Sequence, residues 1–371
     1  MSNFIPLSVP NLSGNELDYV IDAVRSGWIS TSGGRIVEFE EKLARYLKVD
    51  KVAAIQSGTA GLHLAMILAD IGHGDEVIVP TLTFVAAVNP VKYVGAEPIF
   101  MDCNDYLCLD MEKVAEFCEK KCDFIDDKLI NKRTGKHIKA VVAVHVFGNM
   151  TDMHTLVKLA RKYNLKVIED ATEALGSYYL ETGEFAGTIG DFGVYSFNGN
   201  KIITTGGGGA FTARDTEMID RARYLANQAK DDDVAFVHNE IGYNYRMTNL
   251  QAVVGIAQME QLEEFIAIKW KNYDLYKVAR LKLLDFQKDV RSNKWFYSLV
   301  TDRRDELMKR LTENGIQSRP LWKPIHTLKP YEKYQSYKIN KAIKYWEKTV
   351  NIPCGSGLTE NDIHRVVGAV I

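Results

Sequence analysis

Lys201 closes the run Ser196-Phe197-Asn198-Gly199-Asn200-Lys201 and is followed shortly by Gly206-Gly207-Gly208-Gly209. Upstream, Asp170 ends the apolar stretch Val167-Ile168-Glu169. A lysine alone is an ordinary surface residue. With a hydroxyl five positions before it, small residues around it and an acid at the end of a strand-like run, it has what a pyridoxal phosphate site requires. The amine forms a Schiff base with the cofactor aldehyde, and the hydroxyl helps hold the phosphate. The buried carboxylate keeps the pyridine nitrogen protonated, so that the ring can draw electrons.

Other residues gain weight from this company. Ser57-Gly58-Thr59-Ala60 follows a short apolar run and opens a helix, which puts backbone N–H groups and the Thr59 hydroxyl where a phosphate could dock. The same pattern is also an ordinary helix cap. Phe84 ends the loop Pro80-Thr81-Leu82-Thr83-Phe84. An aromatic there could stack on a cofactor ring or simply belong to the core. Asp170 could pair with a pyridinium N–H or cap the helix-like stretch beginning at Ala171. Glu173, one turn further on, would reach the same region. The glycine run reads best as a tight turn into a strand. Gly242-Tyr243-Asn244-Tyr245-Arg246 fits an interface as well as a site.

The elements needed to position these groups are visible as short apolar runs alternating with helical patterns between about residues 50 and 215. Strands are expected at 52–55, 77–79, 97–101, 140–146, 167–169, 192–196 and 208–212. Between the first two, Leu62, Leu64, Ala65, Met66, Leu68 and Ala69 give a helix with a broad apolar face. Such alternation means an α/β domain with a mostly parallel seven-stranded sheet. The charged stretch 120–139 reads as a solvated loop. From Leu250 a long helix to Leu262 leads into charged helical stretches, a strand near 295–299 and a helix over 305–314. We therefore expect a large domain over residues 1–249 and a small C-terminal α/β domain over 250–371.

Composition narrows the class of partner. The 371 residues carry 46 basic and 48 acidic side chains, a formal net charge of −2, which gives no bulk attraction to nucleic acid or anionic membrane. A small-molecule substrate is expected. Five cysteines in a chain of this size favour reduced thiols and a cytoplasmic location. Cys118 and Cys122 lack the second half of a ligand set, so no metal is expected. Residues 1–10 lack the basic start and apolar stretch of a signal peptide, and no run approaches the roughly eighteen apolar residues of a membrane span.

Taken in order, Gly27-Trp28-Ile29-Ser30, Ser57-Gly58-Thr59-Ala60, the Pro80 to Phe84 loop, His145-Val146-Phe147-Gly148, Glu169-Asp170-Ala171, the Lys201 run, Gly242 to Arg246, Ser318-Arg319-Pro320 and Pro324-Ile325-His326 carry a resemblance over essentially the whole chain. The sequence resembles the DegT/DnrJ/EryC1/StrS family of sugar aminotransferases, pyridoxal phosphate enzymes of the aspartate aminotransferase fold (fold type I). The resemblance implies that Lys201 is the Schiff-base lysine and proton shuttle, with Asp170 on the pyridine nitrogen and Phe84 and Ala171 near the ring faces. It implies that Gly58, Thr59 and Ser196, with Ala60 in the same turn, hold the phosphate. Glu173 would lie near the 3-hydroxyl, at a position the family fills with glutamine, histidine or glutamate. Asn244 would reach the partner subunit's cofactor, making the enzyme a homodimer with two shared sites. Trp28, His145, Tyr243, Arg319 and His326 are the implied walls for a nucleotide sugar.

Two departures matter. The family commonly reads Gly-Glu-Gly-Gly after the lysine, whereas Gly207 stands in place of the glutamate. Relatives that remove a hydroxyl often carry histidine instead of the lysine, and Lys201 argues against that branch. Residues 5–16, 96–101 and 118–139 look most like aminotransferases of the legionaminic acid pathway, which act on a nucleotide-linked 4-keto-6-deoxy-N-acetylhexosamine, UDP- or GDP-linked. Perosamine synthases, acting on GDP-linked 4-keto-6-deoxymannose, are the next resemblance. The expected reaction is transfer of the amino group of L-glutamate to C4 of the keto sugar, for nonulosonate or other surface glycan synthesis. A cofactor-dependent dehydratase, a lyase on the same scaffold, is the alternative enzyme. A cofactor-binding regulator lacks any DNA-binding appendage in its support.

Overall fold

The computed structural model describes residues 4–232 and 234–371, so the first three residues of the segment 1–10 lie outside it. All seven expected strands form: β1 (Ala53–Ile55), β2 (Asp75–Pro80), β3 (Glu97–Met101), β4 (His137–Val144), β5 (Lys166–Asp170), β6 (Phe192–Ser196) and β7 (Gly209–Ala213). They lie in the spatial order β1-β7-β6-β5-β4-β2-β3. Every neighbouring pair is parallel except those that β7 makes with β1 and β6. Central strands such as β4 are buried on both faces, as Ala140-Val141-Val142-Ala143-Val144 requires. Helices cover the sheet.

The sheet is wider than seven strands. Ser336–Tyr337 adds to the β3 edge in parallel. The stretch 120–139, expected as a loop, instead forms a hairpin of Cys122–Ile125 and Lys128–Asn131 that pairs antiparallel with β4, giving ten strands in all. Its inward residues Cys122, Leu129 and Asn131 are buried while Ile125 and Lys128, on the other face, stay exposed. Alternation of this kind satisfies one face of a sheet edge at a low apolar content.

Thr248 starts the next helix with a reciprocal capping box, its hydroxyl accepting from the Gln251 N–H and the Gln251 side chain accepting from its own N–H. That helix runs from Asn249 to Val278, well past the expected Leu262. The charged stretches after Leu262 are its solvent face; Phe265, Ile266, Lys269, Asn272, Tyr273 and Tyr276 form its inner stripe. Its first turns pack on the helices Glu16–Ser26 and Gly34–Leu47. Gly255 lets them approach, since a Cβ there would sit 2.6 Å from the Phe39 ring. Beyond it, Tyr297–Val300, Arg319–Pro320 and Thr349–Ile352 make a small antiparallel sheet. The N-terminal segment joins it: Ile5 bridges to Ile316, and the Cys354 N–H donates to the Leu7 carbonyl. All five cysteines are buried free thiols. No helix among the described residues is long and apolar enough to cross a membrane.

Candidate active site

The strand ends deliver the site. Ser57 follows β1, Asp170 ends β5 and Ser196 ends β6, so three polar groups far apart in sequence meet at one edge of the sheet. They line a cavity of about 410 Å³ together with Gly58, Thr59, Phe84, Thr172, Glu173 and Lys201. A cavity of that size suits a small organic ligand.

One end is an anion cradle. Ser57 caps the helix Gly58–Leu68 by accepting from the Ala60 N–H at 3.1 Å, leaving the N–H groups of the first turn facing the cavity. Gly58 keeps the cradle open: a Cβ there would sit 2.9 Å from Thr172 Cγ2 and 3.0 Å from Ser196 Cβ. Gly207 and Gly208 line the same cavity, and the turn uses positive φ at Gly206 (79°) and Gly208 (137°). The structural reading of the glycine run therefore accounts for its geometry, although the run also borders the site.

The other end holds the acids. Asp170 is 4% exposed, and its Oδ1 accepts from the Thr172 N–H at 3.1 Å. None of the ion pairs found among the described residues includes it. Burial raises its proton affinity, opposed by the Thr172 bonds and by Lys201. A buried carboxyl with spare acceptor capacity, open to the cavity, fits a pyridinium N–H. The neighbouring Glu169 does different work. Fully buried, it accepts from the N–H groups of Gly187, Ile189 and Gly190 and contacts His145 Nε2 at 2.8 Å, so it braces the strand end.

Lys201 is held between these ends. Phe197, the first residue of its loop, bonds through its N–H to the Gly208 carbonyl and through its carbonyl to the Thr205 N–H, while the Lys201 N–H donates to Asn198. Burial makes the amine a weaker base than a free lysine, and Glu173 and Asp170 oppose that. Burial also pushes Glu173 up to about 7, against the pull of Lys201 and of the Phe147 N–H that it accepts at 2.9 Å. The carboxyl is thus ionised above neutrality and protonated below it. Ionised Glu173 stabilises the protonated lysine, which would favour proton transfer from a substrate carbon to Lys201. We expect kcat to rise with pH through about 7, and Glu173→Gln to remove that limb and lower the plateau about tenfold, the size of a lost contact of about 1.4 kcal/mol. An unchanged pH profile would separate Glu173 from turnover.

The remaining expected residues are less uniform. Phe84, 54% exposed, does line the cavity, and Ala171 lies fully buried behind Asp170 with its N–H on the Val194 carbonyl. His145 does not form a ligand wall. It is 0% exposed, with Glu169 on Nε2 and the Thr151 N–H on Nδ1, because its segment turns inward at the end of β4. His326 lies behind the loop instead, its Nδ1 2.7 Å from Thr81 Oγ1. Arg319 is exposed in the small sheet, outside the cavity lining. Trp28 is 58% exposed, Asn244 is exposed, and Tyr243 stacks on Tyr245; none of the three lines the cavity of this chain.

The structure also adds residues that sequence reasoning missed. Thr172, Asn198 and Asn200 stand inside motifs already singled out, so their signal was their position. Trp295, Phe296 and Trp322 complete the cavity from the C-terminal third; Trp322 lies between the motifs Ser318-Arg319-Pro320 and Pro324-Ile325-His326, and no motif marks the other two. The Trp295 ring lies 4.2 Å from Lys201 Nζ, and its Nε1 donates to the Asn200 carbonyl.

The family model for DegT/DnrJ/EryC1/StrS aminotransferases matches residues 10–371. The chain belongs to that family. It is 38% identical over 367 residues to a GDP-perosamine synthase of Escherichia coli O157:H7, covering 97% of this chain and 96% of the relative. It is equally 38% identical over 377 residues to a GDP-perosamine synthase of Caulobacter vibrioides, covering 99% and 97%. Among solved structures, the aminotransferase TlmJ of Streptoalloteichus hindustanus superposes with a TM-score of 0.89 at 29% identity, covering 99% of this chain and 98% of that one. The protein is a sugar aminotransferase with the expected α/β fold, and its cofactor is pyridoxal phosphate. The dehydratase alternative gives way to this assignment. When bound, the cofactor supplies an electron sink and a carrier for the amino group. The residues that would hold it line one cavity: Ser57, Gly58, Thr59 and Ser196 where a phosphate would sit, the Asp170 carboxyl where a ring nitrogen would point, and the Lys201 amine as the group that would take up and return a proton.

Proposed function

We propose that the enzyme transfers the amino group of L-glutamate to C4 of a nucleotide-linked 4-keto-6-deoxy sugar, and that the sugar is GDP-4-keto-6-deoxymannose. The observation that carries the reaction type is Lys201 placed in one cavity with Asp170 and the Gly58 cradle. Support for the sugar comes from the relatives named as GDP-perosamine synthases, each matched along nearly its whole length. On that support we place this sugar ahead of the 4-keto-6-deoxy-N-acetylhexosamine of the legionaminic acid pathway.

In this reading, two chains share their sites. Trp28, Ile29 and Phe84 are large apolar side chains more than two-fifths exposed, and Asn244 is exposed in the polar–aromatic cluster Gly242 to Arg246. A second copy covering these residues would bury apolar surface and bring Asn244, Tyr243 and Trp28 towards a neighbouring cavity. The division into residues 1–249 and 250–371 belongs to the same proposal, with the helix from Asn249 joining the parts.

The test converts the holoenzyme to its amine form with L-glutamate, removes the donor, and adds GDP- and UDP-linked 4-keto-6-deoxy sugars separately. Return of the visible cofactor band with GDP-4-keto-6-deoxymannose is the expected result. Return only with the UDP-linked N-acetylhexosamine would transfer the assignment to that sugar, and return with neither would refute both.

A further inference from the structure

Lys269 is a buried amine that the reaction as described does not use. It sits on the inner stripe of the helix Asn249–Val278, 3% exposed, and no carboxylate pairs with it among the described ion pairs. Its Nζ donates to two main-chain carbonyls, Trp295 at 2.9 Å and Cys354 at 2.6 Å. The ionisable groups around it are the Cys354 thiol, which itself contacts the Trp295 carbonyl, and Tyr297, whose hydroxyl donates to the Lys269 carbonyl. An amine in such a place costs several kcal/mol of desolvation unless its donors are used, whereas a methionine would fill similar space without that cost.

What the two bonds hold is the segment that closes the cavity. Trp295 is fixed from every side: its N–H donates to Phe147, its indole N–H donates to Asn200, and its ring stacks on Phe296 with centroids 4.0 Å apart. Asn293, two residues before it, donates to the carbonyls of Glu173 and Leu175. Lys294, between them, points the opposite way into a box of Trp270, Tyr273 and Phe286, with Asp274 at 4.0 Å. The face of the indole therefore meets Lys201 Nζ at a set height, in the cavity that Asp170 and Glu173 also line. An indole face stabilises a cation resting on it.

We propose that Lys269 is a positioning residue for amino transfer: by holding the Trp295 carbonyl it fixes the indole against the Lys201 amine, and the indole favours the protonated form of that amine. Burial weakens Lys201 as a base for drawing a proton from a substrate carbon. The indole, Glu173 and Asp170 oppose that weakening. The effect is independent of which sugar is the acceptor.

The test uses the holoenzyme and two variants, Lys269→Met and Trp295→Leu. The readout is the pH midpoint of the visible band of the lysine-linked cofactor, where the titrating atom is the same Nζ. Trp295→Leu is expected to lower the midpoint by about half a pH unit or more, the size of a partly desolvated cation–π contact. Lys269→Met should shift it in the same direction by less, and the double variant should match Trp295→Leu alone, because one residue acts through the other. In both single variants kcat should fall while KM for L-glutamate stays within about twofold of its original value. A Lys269→Met protein that only melts earlier, with its midpoint unmoved, would show a structural role and overturn the proposal. So would an unmoved midpoint in Trp295→Leu, whatever the fate of the other variant. Should Lys269→Met not fold, Lys269→Gln, which keeps a donor for one carbonyl, is read in the same way.

Discussion

Lys201→Ala is expected to abolish turnover, with a loss of at least about 10³-fold, because it removes both the covalent anchor and the group that moves the proton. The fold should survive. The amine occupies a cavity wall, its loop is held by main-chain bonds from Phe197 to Thr205 and Gly208, and no ion pair among the described residues depends on it. A buried lysine carries a desolvation cost that alanine lacks, so the melting temperature should stay level or rise. The variant should still bind the amine form of the cofactor through the cradle and Asp170. Single-turnover measurement beside a thermal melt checks the pair of outcomes. Retained turnover would remove Lys201 from the mechanism.

The second large effect is Asp170→Asn. Asparagine keeps the shape and the acceptor for the Thr172 N–H, but it cannot hold a positive charge on a ring nitrogen. Losing a charge aimed at a reacting group in a dry site costs about 10²- to 10³-fold in kcat. Stability should move the other way, since burial already penalises the charged carboxyl. Falling kcat with an unchanged or higher melting temperature separates a role in chemistry from a role in packing. A fall in both would point to a structural duty of the Asp170 carboxylate charge.

The strands and the polar site were legible because each depends on local pattern. Apolar runs gave all seven strands, and the residues that must touch an anion or a ring nitrogen follow strand ends within a few positions. The parts that were not legible depend on distant partners. Trp295 and Trp322 become walls only because the small sheet folds back over the strand ends; the motifs that flank Trp322 did not single it out, and no motif lies beside Trp295. His145 looked available but is claimed by Glu169, whose own task is visible only once three N–H groups converge on it. The charge in 120–139 hid a hairpin, since an edge hairpin needs few buried residues. Charge likewise hid the second half of the Asn249–Val278 helix and, on its inner stripe, the buried Lys269.

The central claim is that Lys201 carries the cofactor. Borohydride reduction of the holoenzyme, followed by proteolysis and mass spectrometry of the peptides, reads this directly. The reduced cofactor should appear on the peptide containing Lys201 and on no other lysine of the chain. Its attachment to a different lysine, or its absence from a protein that still transfers amino groups, would contradict the assignment of this cavity as the active site.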